Sequence, residues 1–349
     1  MSEPSRRPGR LGVGVVGAGR VGAVLGSALR AAGHPVVAAS AVSAESRERA
    51  EQLLPGVPVL EIPEVVERSE LVLLAVPDDA LGPLVAGLAE VGAWQAGQIV
   101  AHTSGRFGVG ILEPARAAGV IPLALHPAMT FTGTSLDLSR LVGASFAVTA
   151  PAPVLPIGQA LVVEIGAEPV VLDEGARGLY HAALAHGSNH LVVLVAQAAQ
   201  ALAAAGVDDP GRMLAPLLEA ALDGALRAES GTATERGVGA IGALTGPVRR
   251  GDAGTVREHE VALGSLAAAS GAVDVLAGYR ALARSAAGRA LAAGLISPAA
   301  ASDVLDAIDD ATQDTAAAQG PTGIDPGLGS LDRDETTDDE TTDRPEDDE

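Results

Sequence analysis

The feature that most constrains this chain is a glycine turn that follows its first apolar stretch. Residues 11–16 (LGVGVV) have the β-branched, apolar character of a buried strand. They pass directly into Gly17-Ala18-Gly19-Arg20-Val21-Gly22 and then into the helical run VGAVLGSALRAAG. A strand, a GxGxxG turn and a helix in that order open a wound α/β fold. Gly17 permits the tight turn, Gly19 lets a pyrophosphate approach the backbone, and Gly22 lets helix and strand pack closely. The N–H groups at the helix start then face phosphate oxygens, with Ala18, Arg20 and Val21 completing the cofactor turn. In a chain with 43 glycines a ligand-free turn is the competing reading. The position directly after the first strand favours the dinucleotide.

In NAD-binding sites an acidic residue about 20 positions after the turn accepts from the ribose 2′-hydroxyl. Here the second strand ends Ala38-Ala39-Ser40-Ala41-Val42-Ser43, and no acid follows until Glu45. Ser40, Ser43, Arg47 and Arg49 suit a 2′-phosphate instead, so NADP is expected, against a reading in which the two arginines only solvate a helix face. A third motif, LVLLAVPDD over residues 71–79, ends a strand at the sheet edge where such folds bind ligands. Val76 and Pro77 are placed beside the cofactor, and Asp78 and Asp79 read as N-caps of the next helix.

From Leu11 to Thr149 short β-branched runs alternate with Ala/Leu segments. Strands are expected at 11–16, 35–39, 71–76, 98–102, 120–125 and 143–149, helices at 20–32, 44–54 and 78–91, and one or two edge strands within 161–172. After Asp173 the strand signal stops, and the chain reads as Ala/Leu helices. The expected architecture is α/β: a Rossmann-type doubly wound parallel sheet over 11–173 and an all-helical C-terminal domain over 174–310. A flexible N-terminus (1–10) and a disordered acidic tail (311–349) flank them.

Composition narrows the function by exclusion. The formal net charge is −21, and residues 311–349 alone set thirteen Asp/Glu against Arg333 and Arg344. An acidic chain repels nucleic acid and anionic lipid, so neither nucleic acid nor membrane is an expected partner. All 23 basic residues are arginine, which removes Schiff-base chemistry and a lysine proton donor; the absence of cysteine removes thiolate nucleophiles. Met1–Arg10 lacks the apolar stretch of a secretory signal, and the most apolar helical run, 191–207, is short for a membrane span. A cytoplasmic location is therefore expected.

Two more strand ends carry polar groups toward the same edge: His102-Thr103-Ser104-Gly105 and His126-Pro127-Ala128-Met129-Thr130-Phe131. Thr103 joins the cofactor set. His126, at a strand end before proline, reads as a site residue, whereas His102 leans toward a buried strand residue. In the first long helix, Arg177-Gly-Leu-Tyr180-His181 leads to His186-Gly-Ser188-Asn189-His190. On a 3.6-residue period His181, Ser188 and Asn189 cluster toward one side, and His186 stands a turn before Asn189 and His190. The His186/His190 spacing would permit zinc, but no HExxH glutamate and no third ligand is marked, so no metal is expected. His186 reads as proton donor to the oxygen bound by Asn189; His126, or a water carried by Asn189, is the alternative. Further on, Arg249 and Arg250 in Thr245-Gly-Pro-Val-Arg-Arg-Gly-Asp252 suit a small anionic substrate, unless an Arg–Asp staple merely fixes the loop.

The ordered set GVVGAGRVG, LLAVPDDAL, HTSG, LHPAMTF, YH followed by SN, and ALTGPVRRGD with a downstream histidine resembles the bacterial proteins that join a Rossmann-like domain to a helical DUF2520 domain. The likeness spans about residues 11–290. It implies kinship with the 6-phosphogluconate-dehydrogenase-type reductases, which include pyrroline-5-carboxylate reductase and ketopantoate reductase; some members are considered alternative ketopantoate reductases in pantothenate synthesis. Gly17, Gly19 and Gly22 match the cofactor turn of the family, and His126, Asn189, Arg249, Arg250 and Asp252 its polar motifs. Where many reductases of the wider superfamily carry a lysine a turn before the asparagine, this chain has His186. The resemblance thus implies an NADPH-dependent reductase of a small 2-oxo acid acting as a homodimer. Arg249 or Arg250 would hold the substrate carboxylate, Asn189 the carbonyl oxygen, and His181 and Ser188 the substrate's flank. A cyclic-imine reductase, or an NADP-binding sensor or scaffold without turnover, are the alternatives.

Overall fold

The structure, a computed structural model, describes residues 10–230 and 238–318. Its first part alternates strands and helices: β1 (Val13–Val16), α1 (Arg20–Ala31), β2 (Val36–Ser40), α2 (Ala44–Leu53), α3 (Ile62–Glu67), β3 (Leu71–Leu74), α4 (Asp78–Glu90), β4 (Ile99–His102), α5 (Glu113–Arg116) and β5 (Ile121–Pro127). Then come α6 (Leu136–Leu141), β6 (Ser145–Thr149), α7 (Leu155–Glu164) and β7 (Glu168–Val171). The remainder is helical: α8 (Arg177–Ala204), α9 (Pro210–Ser230), α10 (Gly246–Arg250), α11 (Ala253–Ser270), α12 (Val273–Ala292) and α13 (Pro298–Ala318).

The seven strands form one sheet in the order β2-β1-β3-β4-β5-β6-β7. The order reverses between β1 and β3, so a ligand crevice opens there at the carboxyl ends of the strands. Successive side chains of a strand point to opposite faces. Val13, Val15, Leu71, Leu73, Ala101 and Leu123 pack with Val24 of α1 and Leu161 of α7, while Val16, Val72, Leu74 and Val100 pack with Leu81, Val85 and Leu88 of α4. Helices covering both faces explain why these strands are nearly continuous apolar runs.

The sheet is mostly parallel, as expected; the exception is β6, which pairs antiparallel to β5 and carries β7 parallel to itself. Between β5 and β6 the longest helix is the six-residue α6, and Gly133 of that connection lies against Arg20 and Arg49 beside the start of α1. The chain thus stays at the carboxyl edge and re-enters the sheet running the other way. The apolar run 161–172 yields one strand, since its first residues close α7 and Gly166, at φ +80°, turns the chain. Pro77, not Asp78 or Asp79, occupies the cap position of α4; the aspartates lie in its first turn, where negative charge complements the helix dipole.

Contacts divide the chain into two units within α8, between Val193 and Leu194. The strand signal stops at Asp173 as expected, yet the first turns of α8 bind back to the sheet. The second unit is helical around Val248, Val256, Ala287, Val304 and Ile308, and holds a buried pair in which Arg280 Nε donates to Glu260 Oε2 at 2.7 Å. Helix α13 runs on to Ala318, past the expected boundary at 310; residues 319–349 of the expected acidic tail, and residues 1–9, lie outside the described residues. No helix among the described residues is long and apolar enough to cross a membrane.

Candidate active site

The glycine turn is built as a phosphate cradle. Gly17 has φ +92°, a conformation that favours glycine, and a Cβ there would lie 2.7 Å from the Ala75 carbonyl. A Cβ on Gly22 would collide with the Gly17 carbonyl oxygen, whereas one on Gly19 meets nothing within 4 Å. Gly19 is the N-cap of α1 and has no side-chain cap bond, so the first-turn N–H groups remain available to an anion. Buried Ala18 and Gly17 are held by Ser40: its carbonyl accepts from the Ala18 N–H at 2.8 Å and its Oγ from the Gly17 N–H at 3.0 Å. Ser40 therefore helps to fix the turn. These residues fit a dinucleotide pyrophosphate.

Around the expected 2′-phosphate position, Ser43 caps α2, its Oγ accepting from the Ser46 N–H at 3.2 Å, and Arg47 is exposed on the same helix. Arg49 turns inward: a Cβ on Gly133 would lie 2.9 Å from its Nε and 2.7 Å from Cγ of Arg20. The two arginines converge on one glycine of the β5–β6 connection, a grouping that only the fold reveals. At the next strand, Val76 packs near Gly17, Pro77 starts α4, and the Thr103 N–H donates to the Leu74 carbonyl at 3.1 Å.

His102 is a structural residue. It is fully buried; Nε2–H donates to the Gly108 carbonyl at 2.9 Å and Nδ1 accepts from the Ser104 N–H at 3.2 Å. Burial, outweighing the Gly108 carbonyl, pushes its pKa from 6.5 down to about 4. As pH falls from 6.5 toward 4 the unfolded chain takes up a proton that the folded chain refuses. The stability present above pH 6.5 is thereby lost on acidification, by about 2 kcal/mol at pH 5 for this residue alone. Urea unfolding should show the decline between pH 7 and pH 5, and a smaller one in His102→Gln, whatever that variant's stability at neutral pH. Equal declines would show that His102 does not drive the acid lability.

Beyond β4 the polar groups gather at the carboxyl end of β5. A cavity of about 310 Å³ is lined there by His126, Met129, His181, Ser188 and Asn189. His126 Nδ1 and the Tyr180 hydroxyl share a hydrogen bond at 2.8 Å, and the ring stands edge-on to Tyr180 and to His181, with centroids 5.5 and 6.5 Å away. Gly105 of the HTSG segment makes room for both imidazoles: a Cβ there would lie 2.8 Å from His126 Nε2 and 2.9 Å from His181 Cδ2. Burial first, then the positive charge of Arg177, lowers the His126 pKa to about 4, so it is neutral at pH 7.

Arg177, only 1% exposed, lies behind this pair. Its Nε donates to Thr149 Oγ1, Nη1 to the Ser104 carbonyl, and Nη2 to the carbonyls of Ala124 and Ala147, all within 2.9–3.1 Å. Every one of these acceptors is neutral. The expected residues Asn189, Ser188, His181 and His126 are thus brought together, but His186 is not among them. His186 is exposed, and its Nδ1 faces Nδ1 of His190 at 2.9 Å. Tyr180 and Arg177 are the site residues that reasoning from sequence passed over.

In the second unit Arg249 Nη1 donates to the Leu295 carbonyl at 2.6 Å, and Arg250 is largely exposed with Asp252 at 3.9 Å. Asp252 itself caps α11 through Thr255. Both arginines border a cavity of about 710 Å³, and of the two Arg250 is the less committed. A separate, largely apolar cavity of about 360 Å³ contains His259 and Tyr279, bonded through Nδ1 and the hydroxyl at 3.0 Å.

Comparison with known proteins divides the chain earlier than the contacts do. Residues 1–127 match the model of a Rossmann-like domain, and residues 144–286 match a domain of unknown function, DUF2520. No curated protein matches the sequence. The fold is similar to that of a provisionally assigned NADP oxidoreductase from Bacteroides fragilis, at 20% identity and TM-score 0.64 over 79% of this chain and 98% of that one. It is also similar to a Thermotoga maritima protein (21% identity, TM-score 0.57, 80% and 98% covered). A provisionally assigned oxidoreductase from Mycobacterium avium is similar too (19%, 0.52, 82% and 99%).

Proposed function

Because the chain belongs to the family that joins a Rossmann-like domain to a DUF2520 domain, we propose that it is an NADPH-dependent reductase of a small 2-oxo acid, with ketopantoate as the first substrate to test. The observation that carries this reading is the pocket beside β5. It sets two imidazoles, a hydroxyl and an amide around one cavity on the sheet edge that also bears the glycine turn. The provisional naming of the Bacteroides fragilis relative as an NADP oxidoreductase supports the cofactor. Bound NADPH would supply hydride to a carbonyl carbon. The N–H groups of the first turn of α1 hold the pyrophosphate, and Ser43, Arg47 and Arg49, with Arg20, supply hydrogen bonds and positive charge for the 2′-phosphate. Asn189 bonds the carbonyl oxygen, and His181 and Ser188 flank the substrate. Arg249 and Arg250, which border a cavity of their own in the second unit, are the candidates for holding an anionic substrate group, and Arg249 also braces the loop. A homodimer belongs to the same reading: Leu179, Val192 and Val193 of α8 are half or more exposed, and such apolar side chains are what a second copy would cover.

The test is NADPH oxidation across a panel of 2-oxo acids, including ketopantoate, and cyclic imines. Turnover of an oxo acid is expected; turnover of imines alone moves the assignment to imine reduction, and binding without any turnover makes the protein a sensor. NADPH should bind at least about tenfold more tightly than NADH, a difference of roughly 1.4 kcal/mol. That preference should vanish in the Arg47→Ala/Arg49→Ala double variant; equal affinities in the parent protein would remove the 2′-phosphate argument.

A further inference from the structure

We propose that His126 and Tyr180 form the proton relay of this reduction, with Arg177 as the buried charge that balances it; the proposal rests on the reductase reading. The contact that carries it is the 2.8 Å hydrogen bond between the Tyr180 hydroxyl and His126 Nδ1. In the tautomer the relay uses, the hydroxyl donates to Nδ1 and the proton of the neutral ring sits on Nε2. The His126 ring lines the pocket, with Nε2 close to Gly105, whereas Tyr180 is absent from the lining. The relay accordingly puts His126 next to the substrate and Tyr180 behind it.

Hydride delivery breaks the carbonyl π bond and leaves its electron pair on oxygen. That oxygen takes the Nε2 proton, and Nδ1 takes the Tyr180 proton in the same motion. The imidazole emerges neutral with its tautomer exchanged, the product alcohol is neutral, and one negative charge rests on the Tyr180 oxygen. Solvent later returns the proton. An imidazole that gave up Nε2–H without this resupply would become a strongly basic anion, so the phenol makes the transfer feasible.

The charge left on Tyr180 explains an otherwise costly arginine. A guanidinium 1% exposed that bonds only carbonyls and a hydroxyl retains its full positive charge in a low-dielectric interior. The acid that acts on it, Glu174, uses both carboxylate oxygens to accept the N–H groups of Val109 and Gly110 at 3.0 and 2.8 Å. Tyrosinate at Tyr180 would be a second counter-charge, beside Glu174. The other groups facing the pair are His181 on α8, Asp78 on α4 and His102 on β4. Burial raises the phenol's pKa while Arg177 opposes it, the balance a resting proton donor requires.

The chain has two tyrosines, so Tyr279→Phe leaves Tyr180 as the sole source of tyrosinate absorbance. In that background, with no substrate present, Arg177→Gln should raise the tyrosinate midpoint by about 1–3 pH units, and Arg177→Lys by less. In the otherwise unaltered enzyme, Tyr180→Phe and His126→Gln should each retain NADPH affinity and KM but lose roughly 10²–10⁴ in kcat. The double variant should be no worse than either, because the two act as one unit. An unshifted midpoint in folded Arg177→Gln overturns Arg177's part. Should that variant not fold, a midpoint in Arg177→Lys equal to the parent's does the same only if Tyr180→Phe also turns over normally. Normal kcat in Tyr180→Phe, or loss confined to His181→Gln, overturns the relay. A parent protein that reduces nothing in the panel refutes the reductase reading instead, and the tyrosinate titration still reports on the pair.

Discussion

Gly19→Ala is expected to leave the protein folded and deprive it of its cofactor. The methyl group it adds meets nothing within 4 Å, and Gly19 has φ −74°, which alanine adopts freely. Loss of a glycine N-cap costs less than about 1 kcal/mol, so the melting temperature should fall by a few degrees at most. The same methyl occupies the space through which a pyrophosphate reaches the first-turn N–H groups of α1. NADPH affinity should drop roughly 100-fold, about 3 kcal/mol, as read by fluorescence titration. Gly22→Ala provides the contrast, since its Cβ would collide with the Gly17 carbonyl and lie 2.9 Å from the Ala75 methyl. That variant should lose stability as well as binding, because α1 must move off β1. Parent-like NADPH affinity in Gly19→Ala would show that the pyrophosphate does not cross this turn.

The glycine turn was legible because its constraint is local: strand, turn and helix are contiguous, and each glycine acts on atoms a few residues away. The β-branched runs likewise located the strands of the sheet. Strand direction is not written in such runs. A period of two is the same in either orientation, so the antiparallel entry of β6 depended on the connection after β5 remaining at the carboxyl edge. Apolar content alone also could not divide 161–172 between the end of α7 and β7.

Within the site, helical geometry decided more than proximity in sequence. At about 100° per residue, Ser188 returns to within about 20° of His181, whereas His186 lies about 140° around the helix from it. This angle, rather than the one-turn spacing to Asn189, separates the pocket-facing residues from His186. Arg177 was passed over because arginine is ordinarily exposed. One signal was present: a cation at the first position of a long helix opposes the helix dipole and calls for another reason to be there. The acceptors on β5, β6 and the HTSG segment are that reason, and they come together only in three dimensions.

The HTSG glycine leads to the second large effect. A side chain at Gly105 would stand 2.8 Å from His126 Nε2 and 2.9 Å from His181 Cδ2, the two imidazoles that face the cavity. Both rings are the ends of side chains, so the fold can give way where the chemistry cannot. Gly105→Ala should therefore remain folded and bind NADPH like the parent, since its added methyl is directed at the imidazoles and not at the glycine turn. Displacing a reacting group by about 1 Å costs on the order of 10²-fold in rate, and here the ring that donates the proton and its neighbour move together. The expected result is a kcat lower by roughly 10²–10³ at nearly unchanged cofactor affinity, with His126 and His181 resonances shifted in the imidazole region of the NMR spectrum. Normal turnover accompanied by shifted histidine resonances would mean that neither ring touches the reacting oxygen, and the proton would then have to come from a water held by Asn189.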